Sequence, residues 1–341
     1  MRFKTLIIFG LLFSLQGFAS EKCHRLIQKY FNKSMDVRLG LRDTLDQKKF
    51  KSLGMEFEGV VVQNLTYFQI SEQVQKALKD LGLDAQIKEI GEFNDHYEIQ
   101  YYSGGELKKV SVLTDGSLIS TTLGYPVEIT SPIMRNTTEV WQYLSLIQML
   151  GRRIDLRAEE DFGGIHVHYG AKDLTTEQLS HILKVFYVAE HKIIEKFEVK
   201  ETRQISQMNN VPNAIHILST HYKKGTLVKD IFDEVPLDRT LIAYKPETMT
   251  IELRIFNSNF LSDEHFANID FSVNLLDDLL KNKDNIEDVS KEYREAALEK
   301  GFDFSSLSKG YHINQDIEES YQAQDPYLAQ FMALKNGEED K

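Results

Sequence analysis

Polar side chains recur at a spacing of two inside runs that otherwise read as buried strands. In Gly54-Met-Glu-Phe-Glu-Gly59, Glu56 and Glu58 alternate with Met55 and Phe57. The two-residue period of a strand puts both carboxylates on one face and both apolar side chains on the other. His166 and His168 repeat the pattern in Gly163-Gly-Ile-His-Val-His-Tyr-Gly170, and Glu252 and Arg254 repeat it in Thr250-Ile-Glu-Leu-Arg-Ile-Phe256. Glu128 stands alone between Val127 and Ile129. Such a chain needs a sheet with one apolar face to cover and one face that gathers charge, which a purely helical fold does not supply.

Each pair has a plainer account when taken alone. Glu-x-Glu is found on solvated edge strands, His-x-His also fits solvated or core-satisfied imidazoles, and Glu-x-Arg is a common same-face ion pair. Together, four carboxylates, two imidazoles and a guanidinium on one side of a sheet describe a site for a hard cation with a charge clamp. A set this rich in carboxylates suits Mg or Mn better than Zn.

Composition narrows the classes further. The 341 residues are 42% apolar and 27% charged with only 6 Pro, so the chain is an ordinary globular one, and 20 Phe and 15 Tyr can fill a sizeable core. A single cysteine, Cys23, excludes an intramolecular disulfide framework. The formal charge of −12 opposes binding to a bare phosphate backbone, so nucleic acid is not an expected partner.

The first residues read as an address. Arg2 and Lys4 precede an apolar run from Leu6 to Leu15, and Gly17-x-Ala19 supplies the small residues of a cleavage site. A run of ten residues is too short for a membrane span, which needs about 20. Residues 1–19 are therefore expected to be a signal peptide, with no stable membrane span after its removal. Loss of Arg2 and Lys4 would take the net charge from −12 to −14. The expected location is exported, periplasmic or secreted.

Residues 20–341 carry no Pro- or Ser-rich linker and no repeat, and are expected to form a single domain. Strand patterns run over 55–62, 97–102, 110–113, 117–121, 165–169 and 250–256, with Asp115-Gly116 as a hairpin turn. A helix with Val140, Leu144, Ile147 and Leu150 on one stripe would be capped by Thr137 or Thr138. Thr175 and Gln178 form a capping box that opens a second helix, through Leu179, Ile182, Leu183, Phe186 and Ile193. After Ser262 the chain turns acidic and helical, ending in a charged tail over 336–341. Strands in the first half and helices in the last quarter predict an α+β fold with a sheet that is at least partly antiparallel.

The ordered series Gly-x-Glu-x-Glu, Thr-Asp-Gly-Ser, Glu-x-x-Ser-Pro, Gly-x-His-x-His and Ile-Glu-x-Arg-x-Phe resembles the amidoligases, relatives of glutamate-cysteine ligase and glutamine synthetase. The likeness spans about 54–260, the motif-bearing core, and leaves the helical region of about 261–341 without a motif. It implies a largely antiparallel, glutamine-synthetase-like sheet forming an open cleft with flanking helices. It also implies bound Mg or Mn, with ATP as cosubstrate. Glu56, Glu58, Glu128, His166 and Glu252 match metal positions, with His168 a further ligand or a substrate contact. Glu56 and Arg254 are the expected catalytic residues, the guanidinium steadying the transferred phosphoryl group. Arg254 and Arg203 are the expected cofactor-binding residues; Arg203, in Glu201-Thr-Arg-Gln204, matches an arginine often near the substrate and equally reads as an ordinary loop residue, while Arg239 and Tyr244 are only suggestive.

The implied reaction joins a carboxylate to an amine through an acyl phosphate, with an amino acid, peptide or cell-wall peptide as substrate. Export and ATP sit poorly together, because exported compartments generally lack the nucleotide. Two alternatives therefore stand beside the ligase: an exported metal-dependent amide transferase or hydrolase, and a catalytically silent relative that binds a peptide.

Overall fold

The computed structural model describes residues 52–89, 96–114, 124–157, 163–199, 208–231, 240–257, 264–281 and 286–302. These belong to one compact unit that ends at Phe302. The expected signal peptide, Cys23, the Asp115-Gly116 turn, the strand over 117–121 and the charged tail lie outside the described residues.

The elements follow in order as β1 (Leu53–Val61), α1 (Tyr67–Asp80), β2 (Gln86–Glu89), β3 (His96–Ser103), β4 (Glu106–Leu113), β5 (Tyr125–Thr130), α2 (Thr137–Arg153) and β6 (Leu156–Arg157). They continue as β7 (Gly164–Gly170), α3 (Thr176–Phe197), α4 (Val211–Thr220), β8 (Ile242–Lys245), β9 (Thr250–Asn257), α5 (Glu264–Lys281) and α6 (Ile286–Glu299). The strands form one sheet in the order β2-β3-β4-β5-β1-β7-β9-β8, with β6 paired to part of β1. Every described pairing is antiparallel. The fold is α+β with a large antiparallel open sheet.

Alternation in the central strands sorts the two faces. Met55 and Phe57 of β1, Ile165, Val167 and Tyr169 of β7 and Ile251 and Leu253 of β9 are buried on the back face. The Tyr169 hydroxyl meets Ser272 of α5, and the Phe197 ring of α3 stands edge-on to Phe256 of β9 at 5.4 Å, so α3 and α5 cover this side. α3 in turn packs on α4, α5 and α6, while α1 rests on α2 and on β3. With the back face covered by helices, the front is left to the polar residues of the same strands.

Local chemistry sets the element ends. The Thr175 and Gln178 box caps α3 as expected, with the Gln178 N–H donating to Thr175 Oγ1 and the Thr175 N–H to Gln178 Oε1. Thr66 and Gln69 form a second box, at α1, a helix the sequence patterns did not single out. The cap of α2 is Asn136 rather than Thr137 or Thr138. Its Oδ1 accepts the Glu139 N–H at 3.0 Å, and the extended backbone at Asn136 places it one residue before the helix. Gly59 is fixed by close approach, since a Cβ there would lie 2.4 Å from the Arg157 carbonyl oxygen of β6.

Candidate functional site

Register brings the separate motifs to one place. In the β1–β7 pairing Glu56 lies opposite His166, in β7–β9 His168 lies opposite Glu252, and in β1–β5 Glu58 lies opposite Glu128. Residues directly opposite in an antiparallel pair share a face, so all six are on the front. The Glu-x-x-Ser-Pro motif holds one of these registers: Ser131 Oγ accepts the Met55 N–H at 2.7 Å, and the Ser131 N–H donates to the Met55 carbonyl at 2.7 Å. This tie fixes the end of β5 to β1, and Glu128 with it.

A bulge in β9 adds Arg254. Between the Ile165–Phe256 and Val167–Leu253 pairs, β9 has one residue more than β7, so Arg254 and Ile255 together face His166. Arg254 stays on the front while Phe256 returns to the back. Its Nε donates to His166 Nε2 at 3.3 Å and stands 3.4 Å from Glu252 Oε1.

His166 is the hub of the cluster. Its Nδ1 lies 3.1 Å from Glu252 Oε1 and 3.4 Å from Glu56 Oε2, and its Nε2 lies 3.3 Å from Glu58 Oε2. Burial works against charging this imidazole, but the charge of Glu58 and hydrogen bonds to Glu252 and Glu56 outweigh it and raise its pKa above the ordinary value. The same Nε2 therefore faces a carboxylate that favours a proton on it and an Arg254 N–H that favours a lone pair.

His168 is held from behind. Its Nδ1 lies 3.1 Å from Thr250 Oγ1, which is 2.7 Å from Thr248 Oγ1. Its Nε2 points into the cluster, 3.1 Å from Glu56 Oε1 and 4.0 Å from Glu252 Oε1. Donor atoms of Glu56, His168 and Glu252 all lie within 4.8 Å of one another. His168 Nε2 and Glu252 Oε2 are buried and have no hydrogen-bond partner. Orphaned buried polar atoms are costly, and His168 Nε2 turned toward the carboxylates of Glu56 and Glu252 fits a divalent cation.

The carboxylates are already poised as anions. Burial would raise Glu252, which is 1% exposed, but the His166 hydrogen bond and the charges of His166, Arg254 and His168 bring its pKa to about 2. Burial is likewise outweighed at Glu56, where the adjacent imidazoles of His166 and His168 hold the carboxyl far below the usual range. Tyr143 of α2 donates to the Ile129 carbonyl at 2.5 Å. Burial, followed by the charges of Glu56 and Glu128, pushes its phenol well above the ordinary value.

Glu56, Glu58, Glu128, His166, His168, Glu252 and Arg254 thus share one face. Arg203 and Arg239 lie outside the described residues. Tyr244 belongs elsewhere: it pairs with Ile251 on the back face and donates to the Val228 carbonyl at 3.0 Å. Two site residues carried no sequence signal. Lys245, whose Nζ is 3.4 Å from Glu252 Oε2, ends a strand of four residues too short to show a period. Thr250 read only as the first residue of β9.

A family described as putative amidoligase enzyme matches residues 49–231, just over half of the chain. No curated protein and no solved structure gives a match. Glu56, Glu58, Glu128, His166 and His168 fall inside the matched segment, whereas Glu252 and Arg254 lie past its end and are returned to it by the β7–β9 pairing. Among the described residues no helix is long and apolar enough to cross a membrane. By this match the chain belongs to the amidoligase family, and its activity at the coarsest level is that of an amide-bond ligase acting on a small molecule or peptide.

Proposed function

We propose that this chain is a carboxylate-amine ligase that uses ATP and Mg or Mn. A carboxylate does not accept an amine directly, so the acid first takes the γ-phosphoryl group of ATP, and the amine then displaces phosphate from the acyl phosphate. The observation that carries this reading is the convergence of Glu56, His168 and Glu252 within 4.8 Å, with the buried His168 Nε2 lacking a hydrogen bond. A divalent cation held there would neutralise crowded anionic oxygens as charge moves to the leaving group.

The chain's own residues supply the rest. Glu56, His168 and Glu252 would hold the cation, and His166 keeps Glu56 and Glu252 oriented through its Nδ1. Glu58 and Glu128, opposite each other at the β1–β5 side, extend the anionic surface for further cation contacts. Arg254 reaches the same centre from β9, and its guanidinium suits the charge that spreads over a phosphoryl group in transit. Thr250 fixes the ring of His168 from behind. Substrates of this reading are an amino acid, a peptide or a cell-wall peptide.

The basic start and apolar run over residues 1–15 support export. In a compartment without ATP, the same cation site would favour metal-dependent transfer or hydrolysis of an amide. Calorimetric titration of ATP with Mg or Mn tests the ligase reading, beside the double variant Glu56→Gln, Glu252→Gln checked for fold by circular dichroism. Metal-dependent ATP binding that disappears in the folded double variant is the expected result, with phosphate released in step with amide formation. Undiminished ATP binding in that variant, or none in the wild type, would sink it.

A further inference from the structure

We propose that Lys245 is an oxyanion clamp, parked on Glu252 and released when a divalent cation takes that carboxylate. The inference rests on the metal reading above. In the β8–β9 pairing Lys245 lies opposite Thr250 and Ala243 opposite Glu252, so Lys245 shares the front face with the His168 support. β8 ends the described strand order, which puts this ammonium at the margin of the site. Its side chain is 25% exposed, against 1% for Glu252. The two meet at 3.4 Å, yet Glu252 Oε2 has no hydrogen bond, so the contact is one of charge alone.

Glu252 turns Oε1 toward His166, His168 and Arg254 and Oε2 toward Lys245, so a cation in the cluster and the ammonium would compete for one carboxylate. A hard divalent ion sits about 2.1 Å from its oxygen ligand, and a full positive charge a few ångströms away on the same carboxylate is repelled by it. Lysine is suited to move, because its ammonium is a point charge on a flexible stem with three rotatable donors. Ala243, opposite Glu252 on β8, presents only a methyl group. Once displaced, Lys245 stands on one side of Glu252 and Arg254 on the other, two cations flanking the bound ion. The chemistry they would receive is an anionic oxygen that also touches the metal, from a phosphate chain or from the carboxylate of the acid substrate.

The test uses Mn2+ alone and two probe anions. Mn2+ is titrated calorimetrically into the wild type, Lys245→Met and Lys245→Arg. Pyrophosphate and, separately, glutarate are then titrated into each Mn2+-loaded protein. Removing the competing ammonium should tighten Mn2+ binding about threefold in Lys245→Met and weaken one of the anions about tenfold, while Lys245→Arg keeps that anion within about threefold. The anion that weakens identifies its source. A larger Mn2+-induced rise in thermal midpoint in Lys245→Met is a second readout, and Lys245→Gln replaces the Met variant if the latter does not fold. Unchanged or weaker Mn2+ binding in Lys245→Met overturns the proposal, as does unchanged binding of both anions. Should the wild type take up no Mn2+, the metal reading falls with it, whereas a wild type and Lys245→Met that bind Mn2+ alike remove only the role of the lysine.

Discussion

Thr250 stands behind the His168 ring, within hydrogen-bond reach of Nδ1. When a cation takes the site, a proton on Nδ1 donated to Thr250 Oγ1 would leave Nε2 as a lone pair for it, with the Thr250 hydroxyl free to donate on to Thr248. That is the tautomer a metal ligand needs, and partners of this kind behind a ligating histidine are commonly worth 10–100-fold in affinity. Thr250→Val removes the acceptor while nearly keeping the shape, so Mn2+ affinity measured by calorimetry should fall about 10- to 100-fold. Thr250→Ser keeps the hydroxyl and should stay near the wild type. A valine variant that binds Mn2+ as well as the wild type would show that His168 is oriented by packing alone.

At the level of elements, α3 carries an acid-sensitive burden. His181 is 4% exposed within it, and neither ring nitrogen has a hydrogen-bond partner. Burial, helped by the nearby Lys184 charge, lowers its pKa to about 4, well below the ordinary imidazole value of 6.5. The unfolded chain therefore binds a proton that the folded chain resists, and stability present above pH 6.5 is lost as pH falls toward about 4. The loss is on the order of 3 kcal/mol. Thermal midpoints recorded between pH 7 and pH 4 should therefore decline less steeply in His181→Leu than in the wild type; equal slopes would refute this account. The element itself was easy to read, because its capping box and apolar stripe lie within one continuous run. The three polar pairs were legible for the same reason: a period of two survives in any strand of five or more residues. What stayed hidden was set by partners far away in sequence. Asn136 outcompetes two threonines for the cap because its Oδ1 reaches the Glu139 N–H, and the roles of Lys245 and Thr250 exist only through the β8–β9 register. The Thr66 and Gln69 box of α1 was present in the sequence, but its stripe of Ile70, Ser71, Val74, Ala77 and Leu78 includes the hydroxyl of Ser71 and the lone methyl of Ala77, so the apolar signal is thin.

For the whole molecule, the sheet concentrates negative charge on one face in a chain whose net charge is already −12. Glu56, Glu58, Glu128 and Glu252 share that face with the cations Arg254 and Lys245, and with two imidazoles whose charge depends on protonation. Gathering like charges opposes the compact state, and desolvating them costs several kcal/mol for each ion left uncompensated. A cation that binds only the folded chain offsets this directly, contributing about 2.7 kcal/mol when its concentration is 100 times its dissociation constant. For a domain of this size each kcal/mol moves the thermal midpoint by about 2–4 °C. Mn2+ at that concentration should therefore raise the midpoint by about 5–10 °C, and chelation with EDTA should reverse the rise. The comparison that gives this meaning is Glu56→Gln, Glu252→Gln. Its metal-free midpoint should lie below that of the metal-free wild type, because His166, Arg254 and Lys245 lose the carboxylates that balance them, and Mn2+ should not move it. A wild type that does not respond to Mn2+ would mean that the imidazoles and the two cations already balance the carboxylates, leaving no cation-sized deficit at the centre of the sheet.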